Sequence, residues 1–150
     1  MKNILIAIVV LGIIAFLYFR SNPKVDFKQD TADGIHFQKG NWQQALDLAK
    51  KENKVVFLDI YATWCGPCKQ LKKYTFTEKS AGDFFNANFV NMALDGEQPE
   101  GATLAQKFEI EAYPTLMFVT PEGELITKSP GFRTAPDLIN LGQKILDSRK

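Results

Sequence analysis

The 150-residue sequence contains only two cysteines, Cys65 and Cys68, and a single histidine, His36. With the two cysteines three positions apart, none is left over to staple the chain elsewhere, which excludes a scaffold built on several disulfides. The same scarcity argues against zinc. A C-x-x-C pair supplies half of a four-coordinate site, and His36 cannot complete it alone. No metal and no other cofactor is expected, and His36 reads as a surface or hydrogen-bonded histidine rather than a ligand. An excess of charge is missing too. Eighteen basic residues meet 17 acidic ones, a net +1, which gives a nucleic acid no electrostatic hold. Internal repeats and low-complexity tracts are also absent.

What is present, at 45% apolar and 23% charged residues, suffices for one globular core, expected to act as a monomer. Ahead of it, residues 4–19 are all apolar apart from the Tyr18 hydroxyl, with Lys2 before them and Arg20 after. As a helix this run covers about 24 Å, short of a ~30 Å hydrocarbon core, and Tyr18, Arg20 and Lys2 are expected as interfacial anchors. Small residues of the kind a signal peptidase requires do not end the run, which closes on Phe16-Leu17-Tyr18-Phe19-Arg20. Residues 1–20 are therefore expected as a membrane signal-anchor, with a cleaved signal peptide as the alternative. Counting Arg20, Lys24 and Lys28 behind the run slightly favours a cytoplasmic domain, whereas a charged start followed by an apolar run favours export. Export is the expectation.

Residues 21–33 are polar, include Pro23 and show no sustained apolar period, so they read as a linker, with the folded domain over 34–150. Alternation at Ile35 and Phe37 predicts a short strand. Asn41, with Gln44 three residues later, predicts a capped helix whose Trp42, Ala45, Leu46 and Ala49 share a face. Residues 55–61 are almost all apolar and predict a strand covered on both faces, with Asp59 as the odd residue. Helices are expected at 69–73, 80–86 and 102–108, a second buried strand at 89–94, and a hairpin from 115–119 and 125–128. Thr134 caps the closing helix. Strands separated by helices, then a hairpin and a last helix, predict an α/β fold: a mixed central sheet of about five strands with helices on both faces.

The chemistry concentrates in Trp64-Cys65-Gly66-Pro67-Cys68-Lys69. Disulfide exchange requires a thiolate, and a cysteine with a pKa of ~8.5 is mostly protonated at neutral pH. At a strand-to-helix junction, unpaired backbone N–H groups and the positive helix end lower the pKa of Cys65. Cys68, one turn on, is then within reach of a mixed disulfide formed at Cys65. Gly66 keeps the rim uncrowded, Pro67 suits a first helical turn, and Trp64 offers a flat contact for substrate. Two inert buried cysteines are the competing reading.

These residues resemble the thioredoxin family, over roughly position 37 to the C-terminus. The resemblance implies a thioredoxin-like fold and a redox-active Cys65–Cys68 disulfide. Asp59, six residues before Cys65, matches that family's buried acid, which handles the proton of the second cysteine; an exposed edge-strand carboxylate is the alternative. Tyr113-Pro114 matches the cis-proline loop that presents backbone to an extended substrate, and Gly131 matches a glycine at the rim of the site. Residues 58–76 are similar in particular to the periplasmic C-terminal domain of the thiol:disulfide interchange transporter family. That resemblance implies a reductant of disulfide-containing exported proteins, recharged by a membrane or thioredoxin-like electron donor. Three positions depart from the pattern. A lysine usual near the buried acid falls on Asn91, an acid four residues after the second cysteine is Lys72, and a helix-kinking proline is Lys73. Lys72 is expected as a solvated helix-face residue, or, turned inward, as a cation favouring thiolate or carboxylate. An oxidase or isomerase of the same fold, and a binding module using the C-x-x-C for metal or protein docking, remain alternatives.

Overall fold

The computed structural model describes residues 2–21 and 23–149, without the side chains of Lys2, Asn3 and Ser21; the expected Lys2 anchor thus lies outside the described residues. Helix α1 (Lys2–Ser21) comes first, followed by α2 (Trp42–Glu52), β1 (Val55–Tyr61), α3 (Gly66–Gln70) and a π-helical turn (Leu71–Thr75). Next come α4 (Lys79–Asn88), β2 (Phe89–Asp95), α5 (Pro99–Lys107), β3 (Thr115–Val119), β4 (Leu125–Pro130) and α6 (Ala135–Asp147). The sheet runs β2-β1-β3-β4, with β1 parallel to β2 and antiparallel to β3.

Strand periodicity divides the core into two layers. Val55, Phe57, Leu116 and Phe118 point to one face and meet Phe85, Leu138 and Ile145 of α4 and α6. Val56, Leu58, Ile60, Met117 and Val119 point to the other, against Trp42 and Leu46 of α2 and Leu104 of α5. Every residue of β1 is buried, as its continuous apolar run predicts for a central strand. The capping box of α2 forms as expected: Asn41 accepts from the Gln44 N–H at 2.9 Å, and the Gln44 side chain accepts from the Asn41 N–H at 3.0 Å. Helix α5 begins earlier than the turn-rich sequence suggested, because Pro99 occupies the first turn, where a missing N–H is tolerated.

Three expectations are corrected. The sheet has four strands among the described residues, not five. Residues 35–38 are extended, but their N–H groups reach Phe76 O, Asn86 Oδ1, Asp30 Oδ2 and Asn91 O in turn, so no ladder forms. Second, among the described residues no helix is long and apolar enough to cross a membrane. Helix α1 forms, yet its unbroken apolar stretch covers only about 24 Å. Third, residues 23–33 are no free linker. Pro23 is buried, Phe27 stacks on Tyr61 with centroids 4.2 Å apart, and Asp30 pairs with Lys72. A glycine makes this packing possible: a Cβ at Gly82 on α4 would collide with Asp33 O and with the Gly34 backbone at 2.7 Å.

Candidate active site

β1 delivers the chain to the site at its C-terminal end, where Tyr61 and Ala62 pack against Cys65 and Cys68. Cys65 is the N-cap of α3, in extended backbone, and Pro67 sits in the first turn. The two cysteines are joined as a disulfide, with Cα atoms 5.3 Å apart, and both are buried. The Cys68 N–H donates to Cys65 Sγ at 3.1 Å, so a backbone donor at the helix start points at this sulfur, as the sequence led one to expect. Beyond Gln70 the helix widens into the π turn, closed by the Phe76 N–H donating to Leu71 O at 2.9 Å. This irregularity stands where the family's kinking proline would be, at Lys73.

Around the pair, Pro67 is exposed and Gly66 half-buried. Trp64 is exposed, and its position is fixed by its ring N–H donating to Glu97 Oε1 at 2.8 Å and by an edge contact with Tyr113, centroids 6.3 Å apart. The Tyr113–Pro114 peptide bond is cis. The Gly131 N–H donates to Pro114 O at 2.8 Å, tying Gly131 to the proline loop, whose Tyr113 packs beside Cys65 and Cys68. Gly131 has φ +91°, and a Cβ there would meet nothing within 4 Å, so backbone conformation rather than space calls for glycine.

Asp59 lies between Phe57 and Tyr61 on the same face of β1 and is 3% exposed. The exposed edge-strand alternative is thereby excluded. Its Oδ1 has no hydrogen-bond partner among the described residues. Burial pushes its pKa from 3.8 up to about 7, with the Lys72 ammonium opposing the shift. Next along the strand, burial raises the Tyr61 phenol to about 12, helped by the carboxylates of Asp95, Asp59 and Asp26.

The cation expected to be solvated is not. Lys72 is 8% exposed; its ammonium donates to Asp30 Oδ1 at 2.8 Å and lies 5.3 Å over the Phe37 ring. Asn91 takes no part in balancing Asp59. Its amide donates to His36 O and Asn86 Oδ1, tying the extended segment to β2 and α4. His36 itself is exposed, with Nε2 3.1 Å from Ala32 O. Sequence reasoning missed Asp30, Phe27 and Glu97 as neighbours of the site. Phe27, a lone aromatic in a polar run, was the one available signal. Among the described residues no cluster of His, Cys, Asp and Glu could hold a metal ion. A groove of about 870 Å³ runs between residues 25–28 and 93–101, floored by Tyr61 and Thr63, but neither cysteine lines it.

A profile of the thioredoxin-like domain matches residues 42–146, most of the chain. This protein belongs to the thioredoxin-like family. A Bacteroides thetaiotaomicron protein solved in solution, described as a candidate disulphide-isomerase, shares 41% identity with it at a TM-score of 0.67, covering 75% of this chain and 93% of that one. The oxidised DsbD C-terminal domain of Neisseria meningitidis shares 25% at a TM-score of 0.59, covering 73% and 97%. The thiol:disulfide interchange protein DsbD of Yersinia pestis is 35% identical over 95 residues, 61% of this chain and 16% of that protein. Its counterpart in Haemophilus influenzae is 29% identical over 117 residues, 75% and 20%. This thioredoxin-like chain thus spans a fifth or less of the length of these curated relatives.

Proposed function

We propose that this protein is a thiol-disulfide oxidoreductase that reduces disulfides of exported proteins. The observation that carries the reading is the Cys65–Cys68 disulfide at a helix start, with a backbone N–H on Cys65 Sγ and a buried acid on the adjoining strand. In the reduced protein that donor and the helix end stabilise a Cys65 thiolate. The thiolate attacks one sulfur of the substrate disulfide, forming a mixed disulfide and releasing one substrate thiolate. Asp59 then takes the proton of the Cys68 thiol, and the Cys68 thiolate attacks Cys65 Sγ. The second substrate sulfur leaves as a thiolate, and Cys65–Cys68 is oxidised as the substrate gains two electrons. An acid with a pKa of about 7 is suited to accept that proton near neutrality.

Trp64, Gly66, Pro67, Tyr113, Pro114 and Gly131 form the shelf on which the substrate chain lies. Returning the pair to its dithiol form takes a dithiol donor, membrane-bound or thioredoxin-like. The domain works outside the cytoplasm, periplasmically in a bacterium. Helix α1 is the segment through which the domain would rest at a membrane surface without crossing it, a reading supported by the exposure of Ile4, Leu11, Phe16 and Phe19 on that helix.

The test is a Cys68→Ser variant expressed in the native host. The expected result is a set of defined proteins trapped as mixed disulfides on Cys65, and absence of adducts would sink the exchange reading. Likeness to the candidate disulphide-isomerase favours a second direction, isomerisation. The Cys65–Cys68 equilibrium with glutathione separates the two: a strongly reducing pair supports the reductase, an oxidising one the alternative.

A further inference from the structure

Three ionisable side chains from three segments of the chain are linked through Lys72, which bonds Asp30 and acts electrostatically on Asp59. Asp59 comes from β1, Lys72 from the π turn, and Asp30 from the strap of residues 23–33. Both oxygens of Asp30 are engaged. Oδ1 accepts from the Lys72 ammonium at 2.8 Å and Oδ2 from the Phe37 N–H at 2.8 Å, which fixes the carboxylate in place. The ammonium is further confined by the Phe37 ring beneath it. Lys72 therefore stands within electrostatic reach of two carboxyl groups and bonds only one, while Asp59 Oδ1 is left without a partner.

We propose that Asp30 is a positioning residue: by holding the Lys72 ammonium in the strap it keeps that cation off Asp59, whose carboxyl stays able to take up a proton at neutral pH. The inference rests on the role given to Asp59 above. A direct bond from Lys72 to the free Oδ1 would be charge-assisted and would favour the ionised carboxylate, removing its affinity for a proton. Few other charges face Asp59. Its partners across the sheet, Ala93 and Leu116, carry none, and the oxidised cysteines carry none. Tyr61 lies on the same strand, with Asp26 and Asp95 acting on its phenol. Competition between Asp30 and Asp59 for one ammonium is thus the local variable.

The experiment follows the Asp59 carboxyl carbon by NMR through a pH titration of the oxidised 150-residue protein. The wild type is compared with D30N, D30E, K72M and the double variant D30N/K72M. Freed from Asp30, Lys72 turns to Asp59, so D30N lowers the midpoint by roughly one unit or more. K72M raises it, and D30E, which keeps the charge, returns it to near the wild-type value. In the K72M background D30N has less than about a third of its effect, because the coupling runs through Lys72. An unchanged midpoint in D30N overturns the proposal. So does an equal fall in the K72M background, which would mean that loosening the strap merely admits water. Should D30N not fold, K72M decides alone, and a midpoint that fails to rise overturns the idea. The titration reads Asp59 whether or not the protein exchanges disulfides, so a failed Cys68→Ser trap beside the expected shifts would sink the function and leave the positioning intact.

Discussion

Replacing Asp59 by Asn removes one ionisation from the core while nearly preserving shape, and its effect on stability can be worked from the acid's environment. In the unfolded chain the carboxyl titrates near 3.8; in the fold burial lifts it to about 7. Each unit of difference corresponds to 1.36 kcal/mol, so the displacement amounts to about 4 kcal/mol. The direction follows from proton counting. Between those two values the folded protein keeps a proton that the unfolded chain has lost, so rising pH favours unfolding. The stability associated with the protonated acid is complete below pH ~4, declines by about 1.4 kcal/mol per pH unit up to pH ~7, and is gone above. Urea unfolding of the oxidised protein from pH 4 to pH 9 measures this, with Asp59→Asn as the reference that cancels every other titrating group. The variant is expected to match the wild type near pH 4 and to exceed it by about 4 kcal/mol at pH 8. A difference that stays constant across the range would refute the reasoning, because an exposed or fully compensated carboxylate gives no slope.

Other substitutions test the scaffold. Gly131→Ala has space for its methyl group but must hold φ +91°, and is expected to lose roughly 1–3 kcal/mol in the same denaturation assay. Asn41→Ala removes half of the capping box of α2 and should cost about 1 kcal/mol, with faster amide exchange in the first turn of that helix. Phe57→Ala empties a fully buried position packed against Phe76, Phe85 and Phe118, for an expected loss of about 3–5 kcal/mol by urea melt.

The elements legible in the sequence were those written in local rules. Asn41 with Gln44 and Thr134 with Asp137 announced helix starts through side chains three residues from the N–H groups they serve. The run from Val55 to Tyr61 announced a central strand, because no polar residue but Asp59 interrupts it. The Trp64-to-Lys69 run marked the disulfide pair because strand-to-helix junction, Gly-Pro and cysteine spacing agree there. Hidden from sequence were bonds between distant positions. The N–H of His36 is satisfied by the side chain of Asn86, fifty residues on, so alternation at Ile35 and Phe37 predicted a strand where no strand partner stands among the described residues. Lys72 and Asp30, forty-two residues apart, find each other only once the strap has folded over the π turn. A lysine read by itself has every reason to face water; the change of helix type at Leu71 and a carboxylate from the strap are what turn it inward.

If α1 rests at a membrane as proposed, the packed strap would also set how far the domain travels. A flexible tether over residues 21–33 would have let the cysteines wander by roughly 20 Å about the end of α1. With Pro23 already buried and Phe27, Asp30 and Gly34 pinned, that search radius collapses. In the exchange proposed above, reach would then come from the other side of each encounter: a substrate or an electron donor would carry its own disulfide or dithiol, on a mobile segment of its own, to a pair that stays where the strap holds it.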